Sequence, residues 1–108
     1  METVEIATED GTRRVKARPC VVAGLCITGS RGDWRITHVA SGKIVCQPSI
    51  YNTNITLSRI RNAVFAAEST GFVLNDSVDW TANEAGLLAQ SGLVLPWIRQ
   101  VVASVEAL

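Results

Sequence analysis

The chain has 108 residues, 47% hydrophobic and 19% charged, with ten basic and ten acidic side chains and no formal net charge. That length supports one domain, residues 1–108, with a modest core, and that composition excludes a disordered chain. No apolar run approaches the roughly 20 residues that cross a bilayer, and the acidic start Met1-Glu2-Thr3-Val4-Glu5 lacks a signal peptide's basic and apolar segments, so a cytoplasmic protein without a membrane partner is expected.

Val4-Glu5-Ile6-Ala7 reads as a short strand or a frayed start, and Glu9-Asp10-Gly11-Thr12 as a turn. From Arg13 to Arg18 the chain alternates, with Arg14, Lys16 and Arg18 on one side and Val15 and Ala17 on the other. Pro19 interrupts this strand and Cys20-Val21-Val22-Ala23 resumes it. Three antiparallel strands follow, Leu25–Thr28, Trp34–Val39 and Lys43–Cys46, joined by glycine-bearing turns. A three-residue loop, Ala40-Ser41-Gly42, sets Val39 against Lys43, His38 against Ile44 and Ile36 against Cys46. That register gathers Trp34, Ile36, His38, Ile44 and Cys46 on a core face. Arg35, Thr37, Val39, Lys43, Val45 and Gln47 take the outer face.

Pro48 ends the last strand and Ser49–Asn54 is a polar connection. Thr56 or Asn54 caps a helix from about Leu57, whose Leu57, Ile60, Val64 and Ala67 recur at helical spacing and whose end falls near Gly71. This helix is expected against the face carrying Trp34, Ile36 and Ile44. Phe72-Val73-Leu74 is too short to assign, and Asn75-Asp76-Ser77 reads as a turn. Thr81-Ala82-Asn83-Glu84 has the form of a capping box for a helix that ends at Gly92. Pro96 suits the first turn of a last helix striped with Trp97, Ile98, Val101, Val102, Val105 and Leu108. Strands first and helices later give an α+β fold: an antiparallel sheet of three to five strands, with two to three helices on one face.

Charge is split along the chain. Between Gly11 and Arg61 stand nine bases, Arg13, Arg14, Lys16, Arg18, Arg31, Arg35, Lys43, Arg59 and Arg61, against one acid, Asp33. The ends are acidic. Such a split reads either as a solvated sheet face or as a surface for an anionic or self-complementary partner. Candidate binding residues are therefore Arg14, Lys16, Arg18, Arg31, Arg35, Thr37, Lys43 and Gln47.

The three cysteines, Cys20, Cys26 and Cys46, form an odd, widely spaced set, which argues against a disulfide framework. His38 is the only histidine. A Cys46–His38 nucleophile pair or metal half-site, with Cys26 approaching from the next strand, competes with a plain reading of both as core residues. Asp76 and Asp79 read as loop carboxylates near a helix start rather than as an acid–base pair. Arg31-Gly32-Asp33 is a tight turn, and the triplets at Asn54 and Asn75 carry no weight in the cytoplasm. No catalytic or metal-ligating residues and no cofactor are assigned.

Three strands followed by a helix are similar in topology to the plant AP2 domain, although that family's motifs are missing here. The phrase Trp34-Arg35-Ile36-Thr37-His38-Val39-Ala40-Ser41-Gly42, followed by an alanine-bearing helix and a later Asp79-Trp80, resembles small uncharacterised proteins of phages and other mobile elements. Those carry a Trp-x-Ile-Thr-His-x-x-Ser/Thr-Gly hairpin before a helix, and the resemblance covers about half of the chain. It implies no activity. The expected function is a non-enzymatic binding protein of mobile-element type, an inhibitor or accessory factor acting through a protein surface. A nucleic-acid binder using the basic sheet face is the second reading, and a cysteine-dependent enzyme the third. The C-terminal stripe is rich enough to pack on its own domain or on a copy of itself.

Overall fold

The computed structural model describes residues 2–69 and 78–107. Five strands form one antiparallel meander in the order of the sequence: β1 (Glu2–Thr8), β2 (Gly11–Pro19), β3 (Leu25–Thr28), β4 (Arg35–His38) and β5 (Ile44–Cys46). Among the described residues four helices follow: α1 (Pro48–Tyr51), α2 (Leu57–Ser69), α3 (Glu84–Ala89) and α4 (Ser91–Glu106). The α+β architecture and the strands-then-helices order are as the sequence implies. Gly71, Phe72-Val73-Leu74, Asn75-Asp76-Ser77 and Leu108 lie outside the described residues.

The helix-side core joins Leu25, Ile27, Trp34, Ile36 and Cys46 of the sheet region to Ile60, Val64 and Ala67 of α2 and Trp97, Val101 and Val105 of α4. Thr56 starts α2, its Oγ1 accepting the Arg59 N–H at 3.3 Å. α2 packs chiefly on α4, and Trp97, Val101 and Val105 of the α4 stripe are buried in this core. Trp97 and Trp80 meet here, with ring centroids 4.8 Å apart.

The middle of the opposite sheet face is covered as well. The β1–β2 hairpin folds back across it, and Val4, Ala17 and Cys26 form a second, smaller core with Ile6 and Val15. The alternation of β2 is as expected, Val15 and Ala17 turning inward. Thr37 was expected on an outer face and is fully buried instead, its hydroxyl 2.9 Å from that of Thr28. Two threonines satisfy one another where the hairpin excludes water.

The β4–β5 turn is also one residue longer than its pattern suggests. His38 bonds Lys43 and Gly42 (His38 N–H to Lys43 O, 2.8 Å; Gly42 N–H to His38 O, 2.7 Å), so Val39–Gly42 is a four-residue loop. Thr37, not His38, therefore pairs with Ile44. Val45 is the extra residue of a bulge that restores the Ile36–Cys46 pair. Trp34, Ile36, His38 and Cys46 are buried as expected, but Ile44 is 48% exposed while Val45 packs on the core.

Two helix boundaries also differ from the sequence pattern. Asn83, not Thr81, caps α3, its side chain accepting the Gly86 N–H at 2.8 Å. Thr81 instead bonds Asp79, donating both its N–H (3.0 Å) and its hydroxyl (2.6 Å) to Oδ1. α4 begins before Gly92, and Pro96 lies inside it. The chain turns at Gln90, whose carbonyl accepts the Leu93 and Val94 N–H groups and whose amide nitrogen donates to the Asp79 and Gly86 carbonyls. Pro96 then costs α4 only the bond that would reach Gly92.

Candidate functional site

His38 sits at the junction of the sheet and the helices. It is fully buried, with Nε2 2.9 Å from the Trp80 carbonyl and Nδ1 2.7 Å from Ser41 Oγ. A carbonyl only accepts, so Nε2 carries a proton and donates, and in the neutral ring Nδ1 accepts the Ser41 hydroxyl. Ser41 Oγ in turn accepts the Lys43 N–H at 3.3 Å. The relay ties the β4–β5 turn to the loop that enters α3.

Both ring nitrogens are thus engaged elsewhere, and the Cys46–His38 pairing considered from the sequence does not form. Burial pushes the Cys46 and Cys26 thiols up to about 11 and raises Cys20 as well. At pH 8 a thiol titrating near 11 is about one part in a thousand thiolate. Iodoacetamide at that pH is expected to leave Cys26 and Cys46 of the native protein unmodified while labelling all three cysteines in urea. Fast native labelling of either, read by mass spectrometry, would contradict this. The raised thiols also make stability fall as pH climbs from 9.0 through about 11, because the unfolded chain releases those protons first. Among the described residues no group of three or more His, Cys, Asp or Glu side chains is placed to hold a metal.

Beside the relay lies an apolar groove of about 390 Å³. β5 supplies Ile44 and Val45, α3 supplies Leu87 and Leu88, and α4 supplies Val94, Leu95 and Ile98, with His38 and Ser41 at one end. Lys43 and Glu84 form an ion pair across its rim. Three of its side chains stay largely in water: Ile44 at 48%, Leu88 at 66% and Leu95 at 53%. Nothing in the local pattern singles out this groove, although Leu87-Leu88 and Leu93–Leu95 make the α3–α4 corner apolar on several sides.

The eight candidate binding residues do not share one face. Lys43 is on the groove rim and Thr37 is buried. Arg35 and Gln47 meet at Asp33: Arg35 donates to both carboxylate oxygens at 3.3 and 3.2 Å, and Gln47 Nε2 donates to Oδ1 at 2.9 Å. Their polar groups are taken up by that cluster. Arg14, Lys16 and Arg18 do come together, with Arg13, which the sequence reading did not select, in a cleft of about 510 Å³ against Gly29, Ser30 and Asp33. Arg14 is 3.6 Å from Glu5, and the Arg18 guanidinium lies 5.1 Å from the Trp34 ring centroid. Arg31 follows Ser30 in the exposed β3–β4 turn.

Among the described residues no helix is long and apolar enough to cross a membrane. No family model matches the chain, and no curated protein or solved structure matches it either.

Proposed function

We propose that this chain is a non-enzymatic binding protein that takes an apolar segment of a partner protein into the groove between β5, α3 and α4. It acts as an inhibitor or accessory factor of mobile-element type. The observation that carries this reading is the clustering of Ile44, Leu88 and Leu95, each about half exposed or more, along one groove. Scattered apolar side chains are ordinary on a protein surface; a contiguous set lining a concavity with a polar rim is a feature of interaction sites. Lys43 and Glu84 supply such a rim. The volume alone would suit a small ligand, but a small-molecule site encloses most of its ligand, and here the apolar side chains stand at an open edge.

The test is retention of host proteins on the immobilised chain after nuclease treatment, compared with a Leu88→Asp/Leu95→Asp chain. Both positions are exposed, so folding stability should change by no more than about 0.5 kcal/mol each. A protein band retained by the native chain and lost with the variant is the expected result. Equal retention by both chains, or none once nucleic acid is removed, would sink the proposal.

A further inference from the structure

The cleft between β2 and the β3–β4 turn is a second surface, independent of the groove. β3 pairs with β2 only at Arg18 and Pro19, so the stretch from Arg13 to Ala17 has a free edge facing this cleft. Four cations line it, against Asp33 alone. Asp33 is engaged by Arg35, and Arg14 faces Glu5. Arg13, Lys16 and Arg31 have no ion-pair partner among the described residues, and Arg18 lies over an aromatic ring rather than a carboxylate. Three positive charges of the lining therefore remain unopposed, with Arg31 beside them in the exposed turn after Ser30.

We infer that this cleft binds the phosphate backbone of a nucleic acid. Alternate residues on a strand stand about 6.8 Å apart. Lys16 and Arg18 thus stand at close to the phosphate-to-phosphate step of an extended single strand. The Ser30 hydroxyl side and the free strand edge add neutral donors of the kind that position a backbone without reading sequence. The planar Arg18 guanidinium, already over Trp34, is suited to stack on an unpaired base. Contact is then electrostatic, sequence-tolerant and stronger for single strands than for duplex. The cations that protect the β2 edge from pairing with other strands are the ones that make the contact.

Fluorescence anisotropy with labelled 20-nucleotide single-stranded DNA, single-stranded RNA and duplex DNA tests this. With about four phosphates neutralised, log K should fall with log[salt] at a slope of about −3 on single strands, so that affinity drops about 50-fold from 50 to 200 mM salt. Arg13→Glu/Lys16→Glu/Arg31→Glu should abolish binding, and the neutral Arg13→Gln/Lys16→Gln/Arg31→Gln should weaken it at least tenfold. Arg99→Glu, on α4 away from the cleft, should leave it within twofold. Circular dichroism confirms that each variant folds. No binding to any of the three probes at 50 mM salt, a flat salt dependence, or equal binding by the folded triple variants would overturn the inference.

Discussion

A Trp97→Ala chain should lose about 4 kcal/mol of folding stability, a large share of the roughly 5–15 kcal/mol such a domain has. Trp97 is fully buried and is the largest of the fully buried side chains. Its indole Nε1–H donates to Glu68 Oε1 at 2.6 Å, and its ring lies against Trp80. Trp80 in turn gives its carbonyl to His38. One side chain thus joins α2, α4, the loop before α3 and, through that loop, β4. Alanine removes the ring contacts, leaves a cavity that rigid neighbours fill only in part, and strands the Glu68 carboxylate. Trp97→Phe keeps most of the volume and should cost less, about 2 kcal/mol. Urea unfolding followed by far-UV circular dichroism reads both. A loss below about 1 kcal/mol for Trp97→Ala would show that this junction does not hold the helices to the sheet.

The second large effect is expected at Gly42. Its φ of +71° is unfavourable for any other residue. A Cβ built there would stand 2.3 Å from the Glu5 carbonyl oxygen and 3.0 Å from the Ile6 Cα, both backbone atoms of β1. The Ala7 N–H donates to the Gly42 carbonyl at 3.0 Å, so the β4–β5 turn holds the far end of the β1–β2 hairpin at this point. Gly42→Ala should cost about 3 kcal/mol and release Ala7 to faster amide exchange. Gly32 separates the two causes: its φ is +88° but nothing lies within 4 Å of a Cβ added there. Gly32→Ala should therefore cost only the conformational part, about 1 kcal/mol. Equal losses at the two positions would mean that the contact between β1 and the turn contributes nothing.

These two positions also show what was legible in the sequence. The alternation of Trp34, Ile36 and His38, and of Arg14 and Lys16 against Val15 and Ala17, reports the sheet faces directly, because a strand repeats every second residue. A glycine at 42 reports the turn. It does not report that β1 returns to press on that turn, since contacts across more than thirty residues leave no mark in a local pattern. Thr37 was misplaced for the same reason. A threonine in alternation with isoleucine and histidine reads as solvent-facing until a second hairpin covers it. The loop at Val39–Gly42 and the bulge at Val45 each shift the register by one residue and cancel by Cys46, so only Ile44 and Val45 exchange roles. That exchange exposes Ile44 and helps to make the groove. The basic cleft was half visible. Arg14, Lys16 and Arg18 follow from β2 alone, whereas Arg13 joins them only because the unpaired edge opens beside Ser30.

The side chains proposed to make contact on both surfaces are exposed ones that the core does not need. Leu88, Leu95 and Ile44 add little to folding while they remain in water, and the cleft cations are solvated. Substitutions in either place should separate binding from stability, unlike those at Trp97 and Gly42.

The most direct measurement is site-specific photo-crosslinking in the native host lysate after nuclease treatment. A photoreactive phenylalanine analogue is placed at Leu88 in one chain and at Phe65 in another. The two side chains are similarly exposed, 66% and 63%, but Phe65 is on α2 outside the groove. A discrete protein adduct from Leu88, absent from Phe65 and removed by Leu95→Asp in the same chain, is the predicted result. Adducts of equal yield from both positions, or none from Leu88, would contradict the groove as the place where this protein meets its partner.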